Sequence, residues 1–382
     1  MLNEKYVKVL EVDLGTGKVR VTRREDLYAY LGGAGLATAL VREHVQPQAD
    51  ALAPEQPIVF AIGPLSTIYP AVTKAVAMFK SPLTGELGES HAGGRLALAM
   101  RYAGYDALVI RGRAPRPVYL YVDSNDVLLK RADTLWGMDA EEAGRVMRDI
   151  EPGRGHRSIM RIGPAGERLV RYALVNCETY RHFGRLGLGA VFGSKLLKGI
   201  YVSGDTDIRI PDVKTYNRVY TDIYKRTVET DAMQKYHDLG TPENVLNLHE
   251  LGALPTRNLQ SGRFEGAREI SGEAFADHDL MRKVACSGCQ VGCIHIALLR
   301  RQFDGEHEYS WSGISYDYEL LYSLGSLLGI ASRHGILRLL DKVAQQGLDA
   351  IATGVTLAWA TEASGRGVID TRELGTSLAF GD

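Results

Sequence analysis

The chain has 382 residues, of which 45% are hydrophobic and 24% are charged, and 45 basic residues against 46 acidic residues leave a formal net charge of −1. This length is enough for two or three domains with a buried core, and no long run of one charge sign favours nucleic acid as a partner. No stretch approaches the roughly 18 apolar residues of a membrane span, and no apolar signal segment stands at the N-terminus, so we expect a cytoplasmic chain.

Strand and turn signals alternate along the first two hundred residues. Residues 6–23 and 117–132 each show two runs of alternating apolar and polar residues around a turn, which predicts two β-hairpins. Helices are predicted over residues 33–45, entered from glycines, and over residues 137–151, where Asp139 precedes Glu142 as in a capping box. The N-terminal part is therefore predicted to be rich in β-structure.

The pattern changes near residues 203–212, where turn residues and a proline precede a long helical pattern over residues 213–238. We place a domain boundary here, with a first domain of residues 1–208 and a second of residues 209–382. Two further helical stretches are predicted in the second domain, over residues 318–346 and 354–367. The second domain is therefore predicted to be mostly α-helical.

Three of the four cysteines lie in the segment CSGCQVGC, as Cys286, Cys289 and Cys293. Gly288 and Gly292 stand between them, and glycine lets a short loop curl until all three sulfur atoms face one point. A tetrahedral zinc ion or a cubane iron–sulfur cluster usually takes four protein ligands. The segment therefore predicts a metal site that lacks one ligand.

The identity of the fourth ligand stays open on the residues alone. Cys177 is the other cysteine, but its segment reads as a strand, where a lone cysteine is usually a small core side chain. A zinc site could recruit His295, although its distance from Cys293 is not a usual zinc-finger spacing. Radical-SAM enzymes have the reverse cysteine spacing, and ferredoxins carry a Cys-Pro ligand that is absent here. We favour a cubane cluster over zinc.

Glycine-rich segments recur in the first domain, and each can expose backbone N–H groups to a phosphate or to a flat polar ring. None matches a dinucleotide or P-loop fingerprint, and the segment that comes nearest has Ser194 and Lys195 in the reverse order. Ordinary turns explain each segment taken alone. The segments are LGGAGL (31–36), SPLTGELGESHAGGR (81–95), IGPAGE (162–167) and FGRLGLGAVFGSKLLKG (183–199).

Together these segments resemble the tungsten-dependent aldehyde ferredoxin oxidoreductase family over nearly the whole chain. The motifs that carry the resemblance are YLGGAGL, FKSPLTGELGESHAGG, RYAGYDALVIRGRA, RIGPAGERLVR, GRLGLGAVFGSKLLKGI, CSGCQVGC and GLDAIATG, in family order. The resemblance implies an α+β fold, with a β-rich, two-sheet N-terminal domain as the base for a bis-molybdopterin cofactor of tungsten or molybdenum and a mostly α-helical domain after it. It also implies a [4Fe–4S] cluster that passes electrons to ferredoxin or to an iron–sulfur subunit.

Cofactor-binding positions carry over from the family one residue at a time. The family's pterin-side arginine falls on Lys74, and the asparagine of its glycine-rich stretch falls on His91, two residues before Gly93. Arg185 matches the cofactor-binding arginine directly. The resemblance therefore implies that Lys74, His91, Gly93 and Arg185 contact the pterin.

The second domain carries a second pterin motif and a candidate catalytic acid. The core of this motif is retained as Gly347, Leu348 and Asp349, while Ala344 replaces its leading aspartate. Glu319 matches a carboxylate that the family holds near the metal, where it would move a proton during aldehyde oxidation. The alternative for Glu319 is a solvated glutamate at the start of a helix.

In the family, the fourth cluster cysteine comes from a C-terminal third domain. The resemblance therefore implies that this domain is missing from the 382 residues and that a separate C-terminal subunit completes the enzyme, or that the gene or protein is truncated. Our leading hypothesis is an oxidoreductase chain that oxidises a small aldehyde, or reduces the acid, through the cluster to ferredoxin. The alternative is a non-catalytic cofactor-binding or electron-transfer subunit, or an inactive remnant.

Overall fold

A computed structural model describes residues 4–151, 153 and 155–382, which fold into two compact units. The first unit takes in two short segments from later in the chain, which are the cysteine turn and the second pterin motif. Its ranges are Met1–Glu229, Cys286–Gln290 and Gln345–Asp349, and those of the second unit are Thr230–Ala285, Val291–Ala344 and Ala350–Asp382. The boundary at 208/209 lies inside the first unit and stays a prediction.

The strands of the first unit are β1 (Val7–Asp13), β2 (Val19–Arg24), β3 (Ile58–Ala61), β4 (Ala75–Lys80), β5 (Leu87–Ala92), β6 (Ala107–Arg111), β7 (Val118–Val122), β8 (Val127–Arg131), β9 (His156–Arg161), β10 (Val175–Cys177), β11 (Arg181–Phe183) and β12 (Leu197–Gly204). They form two six-stranded sheets, in the orders β2-β1-β6-β3-β4-β5 and β11-β10-β9-β12-β7-β8. Both sheets are mixed, because β1 runs parallel to β6 and β7 runs parallel to β12. The two-sheet prediction is confirmed, and the two predicted hairpins are β1–β2 and β7–β8.

The helices of the first unit are α1 (Gly33–His44), α2 (Leu96–Ala103), α3 (Ala140–Ile150), α4 (Pro164–Glu167), α5 (Leu188–Ser194) and α6 (Val213–Thr227). Helix α3 begins as predicted, because the Asp139 carboxylate accepts from the backbone N–H of Glu142 at 2.8 Å. Helix α1 covers the outer face of the first sheet, and α3 covers the outer face of the second. The layer order is therefore helix, sheet, sheet, helix.

The main hydrophobic core lies between the two sheets. Phe60 of β3 meets Phe183 of β11 and Phe192 of α5, with ring centroids 5.4 and 6.2 Å apart in edge-to-face contacts. Strand β7 is buried along its whole length, since the second sheet is covered on both faces. This two-sheet base carries the loops in which the glycine-rich motifs lie.

The second unit is mostly helical, as predicted, with helices α7 (Asp231–Asp238), α8 (Asn244–Glu250), α9 (Gly272–His278), α10 (Tyr318–Leu324), α11 (Arg333–Gln346), α12 (Ala350–Gly365) and α13 (Thr371–Leu374). It also contains an antiparallel sheet that the sequence did not predict, built from β13 (Leu280–Val284), β14 (Ile294–Asp304) and β15 (Glu308–Tyr316). Short 3₁₀ helices lie at Tyr28–Tyr30, Thr241–Glu243 and Ser326–Leu328. Within the part of the chain that the structure describes, no helix has both the length and the apolar character needed to cross a bilayer.

The prediction of one long helix over residues 213–238 is wrong. Helix α6 ends at Thr227, and the Thr230 hydroxyl caps α7 by accepting from the backbone N–H of Met233 at 3.3 Å. A threonine inside an apolar repeat can therefore start a new helix, which the repeat itself does not reveal. The stretch over 318–346 is also divided, at Gly325 and at Gly329, whose φ is +74°.

Candidate functional site

The first two cysteines share one tight turn that belongs to the first unit. The backbone N–H of Cys289 donates to the carbonyl of Cys286 at 3.0 Å, and Gly288 between them has a φ of +80°. The Gly288 carbonyl accepts from the backbone N–H of Ala71 at 3.1 Å. The cysteine turn, residues 286–290, is therefore fixed to the loop that precedes β4.

Gly93 and Gly94 give Cys286 its position. A Cβ atom on Gly93 would lie 2.6 Å from the Cys286 sulfur, so only glycine leaves room for the thiol. The Gly94 carbonyl accepts from the backbone N–H of Ser287 at 3.0 Å. The structure thus brings the predicted cofactor residue Gly93 against the predicted ligand Cys286.

The third predicted ligand, Cys293, belongs to the second unit and directly precedes β14. Its loop contains Gly292, whose φ is +67°, and the Val291 carbonyl lies 2.8 Å from Nδ1 of His237. Among residues 4–151, 153 and 155–382, no three His, Cys, Asp or Glu side chains stand close enough together to hold a metal ion. The ligand roles of Cys286, Cys289 and Cys293 stay predictions.

His295 is a buried core residue, only 1% exposed. Its Nε2 lies 3.2 and 3.1 Å from the carbonyl oxygens of His237 and Asp238, and burial lowers its pKa. Because a carbonyl only accepts, Nε2 carries the proton of a neutral ring. These contacts explain His295 without the zinc alternative.

Arg185 and Asp349 form an ion pair, with Nε of Arg185 2.9 Å from Oδ2 of Asp349. The Asp349 side chain is 3% exposed and that of Arg185 is 58% exposed. The two residues come from the GRLGLG and GLDAIATG motifs, which the resemblance assigns to the same cofactor. The structure therefore brings two of the predicted site residues into direct contact.

The second pterin motif is held along the first unit by backbone hydrogen bonds. The Gly347 carbonyl accepts from the backbone N–H of Leu174 at 2.9 Å, and the Asp349 N–H donates to the Tyr172 carbonyl at 3.1 Å. Leu348, between them, forms an isolated bridge with Ala173. All three predicted residues of this motif are thus positioned by one short segment.

Several glycines of these motifs are explained by close backbone packing. A Cβ on Gly163 would lie 2.4 Å from the Gln346 carbonyl, and one on Gly193 would overlap the Gly166 carbonyl of the IGPAGE motif. Gly187 has a φ of +84° and begins α5. These glycines join the motifs into one body, so part of the glycine signal is structural.

Lys74 and His91 lie at neighbouring strand ends on the edge of the first sheet. Lys74 is exposed directly before β4, and His91 is exposed on β5 with its Nε2 2.7 Å from a Glu89 carboxylate oxygen. The strand register pairs Ala75 with Ala92, which places Lys74 at the same end as Gly93. Within the part of the chain that the structure describes, neither side chain forms a hydrogen bond or an ion pair with Arg185, so the roles of Lys74 and His91 stay predictions.

Glu319 lies in the first turn of α10, where it is exposed. The N-cap is Asp317, whose carboxylate accepts from the Leu320 N–H at 3.3 Å. Burial raises the pKa of the neighbouring Tyr318 to about 12, with the charges of Tyr322 and Glu319 acting in the same direction. The position matches the helix-start alternative, and the catalytic role stays a prediction.

A basic group beside Gly93 was not predicted from the sequence. Cδ of Arg181 lies 3.9 Å from the position that a Gly93 Cβ would take, and its buried Nε has no hydrogen-bond partner among the described residues. Burial lowers the pKa of His182 to about 3, and the charges of Arg161 and Arg181 act in the same direction. The one available signal was that Arg181 and Arg185 share a segment.

Cys177 is fully buried on β10, with its sulfur 4.0 Å from the Ser158 hydroxyl. Burial raises the pKa of the Cys177 thiol, and the charges of Glu178 and Cys286 add to this effect. The thiol is therefore held protonated, which is unfavourable for a metal ligand. Cys177, Cys286 and Cys293 are free thiols.

Two family models match the chain. The N-terminal domain of aldehyde ferredoxin oxidoreductase matches residues 9–204, and domains 2 and 3 of the same family match residues 218–382. The chain belongs to the aldehyde ferredoxin oxidoreductase family. The family predicted from the motifs is thereby confirmed, whereas our expectation that its third domain is wholly absent is partly wrong, because the second match is to a model of domains 2 and 3.

Curated relatives support the same family. The tungsten-containing aldehyde ferredoxin oxidoreductase of Pyrococcus horikoshii is 34% identical, over 96% of this chain and 60% of the relative, and that of Pyrococcus furiosus is 35% identical, over 98% and 61%. A Pyrococcus furiosus protein named aliphatic sulfonate oxidoreductase, WOR-like subunit, is 31% identical, over 98% and 62%. The chain therefore spans about three fifths of the length of these relatives.

A solved structure shows the same fold. The active site complex BamBC of benzoyl coenzyme A reductase, in complex with 1,5-dienoyl-CoA, matches with a TM-score of 0.80 and 24% sequence identity. The match covers 96% of this chain and 56% of that chain. The likeness confirms the α+β fold.

Proposed function

We propose that this chain forms the cofactor-binding part of an oxidoreductase that oxidises an aldehyde, or reduces the corresponding acid, with a tungsten or molybdenum bis-molybdopterin. Family membership supports this class of reaction. The observation that carries the proposal is the 2.9 Å pair between Arg185 and Asp349. It joins two motifs, each assigned to the pterin by resemblance, inside one compact unit.

The side chains around this pair suit an anionic, hydrogen-bonding cofactor. Arg181 has a buried Nε donor that no described residue uses, and the exposed part of Arg185 can donate to a phosphate. Lys74 adds an exposed positive charge, and we propose that His91 and Gly93 border the same cofactor. When bound, the metallopterin would supply the two-electron chemistry, while these residues bind and orient it.

We further propose that Cys286, Cys289 and Cys293 are ligands of a [4Fe–4S] cluster that passes electrons to ferredoxin or to an iron–sulfur subunit. The tight Cys286–Cys289 turn supports this assignment. Because Cys177 is buried and its pKa is raised, the fourth ligand is proposed to come from a C-terminal portion or a separate subunit. The free thiols of Cys177, Cys286 and Cys293 also agree with the proposed cytoplasmic location.

Glu319 is proposed as the group that moves a proton when the aldehyde is oxidised. Its support is the match with the family carboxylate. The substrate would be a small aldehyde or acid.

A second candidate function is a non-catalytic cofactor-binding or electron-transfer subunit, or an inactive remnant. One observation favours it, because one relative carries the word subunit in its name.

Metal and pterin analysis separates the two functions. The chain would be purified anaerobically from cells supplied with tungstate and molybdate, alone and with a C-terminal partner from the same family. We expect pterin in both samples, with four-iron content and aldehyde-dependent viologen reduction rising together when the partner is present. Pterin without turnover in both samples would support a cofactor-binding subunit. Absence of pterin from both samples would overturn the catalytic proposal and leave an electron-transfer subunit or an inactive remnant.

A further inference from the structure

The β3–β4 loop, residues 62–74, has an unfavourable backbone conformation at two positions. Thr67 has a φ of +66° and Ala71 has a φ of +64°. Left-handed backbone is uncommon for residues other than glycine, and for a β-branched residue such as threonine it is an outlier. Strain of this kind persists only where the surrounding contacts impose it, so the contacts of the loop indicate what it holds in place.

The strained part of the loop contacts the cysteine turn. The backbone N–H of Ala71 donates to the Gly288 carbonyl at 3.1 Å. The backbone of Thr67 is also close, because a Cβ on Gly288 would lie 3.5 Å from the Cα of Thr67. The Thr67 N–H donates to the Val72 carbonyl at 2.7 Å, which closes the loop. The two left-handed residues therefore form the surface against which the cysteine turn packs.

Helix α6 holds both the loop and the turn. The Tyr216 hydroxyl donates to the Ile68 carbonyl at 2.9 Å, and the ring of Tyr216 packs against that of Tyr69 with centroids 5.5 Å apart. One helical turn later, the Tyr220 hydroxyl accepts from Nε2 of Gln290 in the cysteine turn at 2.6 Å. The helix therefore fixes the middle of the loop through Tyr216 and the end of the turn through Tyr220.

Arg101 of α2 fixes the start of the same loop. Its side chain is buried, and its Nη2 donates to the carbonyl of Gly63 and, at 3.3 Å, to that of Pro64. The Ser66 hydroxyl accepts from the backbone N–H of Gly63 at 3.0 Å. Hydrogen bonds from a charged donor are stronger than those from a neutral one. The loop is thus held at its start and in its middle, and its strained part faces the cysteines.

We propose that Tyr216 is a positioning residue for the cysteine turn. By holding the β3–β4 loop in its left-handed conformation, it limits the positions that Cys286 and Cys289 can take, which favours metal binding because partners that orient the ligands strengthen a metal site. The inference rests on the proposed function in one respect, namely that this turn binds a metal centre. The plain alternative is a loop that only closes the end of the first sheet.

Cobalt(II) measures the metal affinity of the turn without the native cluster. The 382-residue chain would be titrated anaerobically with cobalt(II), and the thiolate-to-cobalt charge-transfer absorbance would report binding. We expect Tyr216→Phe to weaken binding about tenfold, since phenylalanine keeps the ring but loses the hydroxyl that holds the Ile68 carbonyl. The matched control is Tyr224→Phe, on the same helix, because the Tyr224 hydroxyl forms no hydrogen bond among the described residues.

A second variant separates positioning from stability. Glycine adopts the left-handed conformation without strain, so Thr67→Gly should leave the urea midpoint of the metal-free chain at or above that of the wild type. The same change releases the loop, and we expect it to weaken cobalt binding about threefold. A loop with only a structural role would leave the cobalt affinity of the folded chain unchanged.

The outcomes are distinct from those of the proposed function. Weaker cobalt binding in Tyr216→Phe and Thr67→Gly, with Tyr224→Phe within about twofold of wild type, supports the positioning role. Equal affinities in all variants, no charge-transfer absorbance in the wild type, or full absorbance in Cys286→Ala overturns it. If the chain never retains iron with a C-terminal partner, the proposed cluster fails, while the cobalt titration still decides whether Tyr216 positions the thiols.

Discussion

The guanidinium Nε of Arg185 lies 2.9 Å from Oδ2 of Asp349, which joins the segment before α5 to the segment before α12. The backbone of Asp349 is fixed independently, because its N–H donates to the Tyr172 carbonyl at 3.1 Å. The carboxylate is buried and the guanidinium is largely exposed. Asp349 therefore places a negative charge beside Arg185, while much of the guanidinium group stays exposed to a ligand.

Substitutions of Arg185 separate its structural and cofactor roles. We expect Arg185→Ala to reduce the free energy of unfolding of the cofactor-free chain by about 1 kcal/mol, because solvent screens the exposed partner. Pterin content should fall in the order wild type, Arg185→Lys, Arg185→Ala. Lysine keeps the positive charge but lacks the planar guanidinium group that can donate two parallel hydrogen bonds. Urea unfolding and pterin analysis measure the two effects. The control is Arg20→Ala, which removes the ion pair between Arg20 and Glu11 at 3.2 Å. Equal pterin content in both Arg185 variants would show that Arg185 has only a structural role.

Gly93→Ala tests the close approach of Cys286. A new Cβ would lie 2.6 Å from the sulfur, so the cysteine turn must move. We expect a loss of about 1–3 kcal/mol in stability, together with lower iron content. Gly365→Ala is the control, because a Cβ there meets nothing within 4 Å. Unchanged urea unfolding and iron content for Gly93→Ala would contradict the observed contact.

Lys195 should make stability depend on pH. It is fully buried, its Nζ donates to the Pro54 carbonyl at 2.8 Å, and burial lowers its pKa to about 8. An unfolded lysine has a pKa of about 10.4, so between about pH 8 and about pH 10 the unfolded chain binds more protons. The contribution of Lys195 to stability therefore rises with pH in this window and is diminished below it.

Lys195→Met isolates this contribution. From about pH 8 to about pH 10, the free energy of unfolding of the wild type should rise by about 2 kcal/mol relative to the variant. Urea unfolding at both pH values gives the difference, in which other titrating groups cancel. Lys18→Met, at an exposed lysine, should show no such change. A pH-independent difference for Lys195→Met would mean that the buried amine stays charged.

The sequence predicted those secondary-structure elements that are determined by residues close together in the chain. The alternation on either side of Gly17 predicted the β1–β2 hairpin, and Asp139 predicted the start of α3. The β13–β15 sheet was missed because β14 begins with a fully buried run and ends exposed on both faces, so no alternation marks it. Its pairing depends on partners that the local pattern does not specify.

The candidate site was predictable only where a family motif covered it. Arg185 and Asp349 were chosen separately, and their contact depends on a segment that returns to the first unit from later in the chain. Arg181 was not predicted because its proposed role depends on its closeness to Gly93. Gly93 follows β5 of the first sheet, whereas Arg181 lies in β11 of the second sheet. Spacing along a sequence cannot show which side chain lies behind a distant glycine.

Glu319→Gln distinguishes the proposed proton transfer from helix electrostatics. The residue is exposed in the first turn of α10, so loss of its charge should reduce stability by only a few tenths of a kcal/mol. If Glu319 moves a proton, kcat for aldehyde oxidation should fall about a hundredfold or more in the complete enzyme, and cofactor content should stay unchanged. The same change at Glu373, in the first turn of α13, is the control. Full activity in Glu319→Gln would leave only the helix-start role.

Single cysteine substitutions identify the cluster ligands. We expect alanine at Cys286, Cys289 or Cys293 to abolish retention of iron, because a cubane cluster with fewer thiolates readily loses metal. Cys177→Ala is the matched control. Its thiol is fully buried on β10, so the variant should lose about 1 kcal/mol of stability and keep its iron.

Each cysteine variant and the wild type would be produced with a C-terminal partner and purified anaerobically. Their iron content and cluster absorbance per chain would then be compared. The 382-residue chain alone should hold iron weakly, since three cysteines leave one iron to water or to an outside thiol. A chain that carries four iron atoms without any partner, and loses them in Cys177→Ala, would show that Cys177 is the fourth ligand. The buried thiol would then have to ionise on binding iron, against the raised pKa that burial gives it.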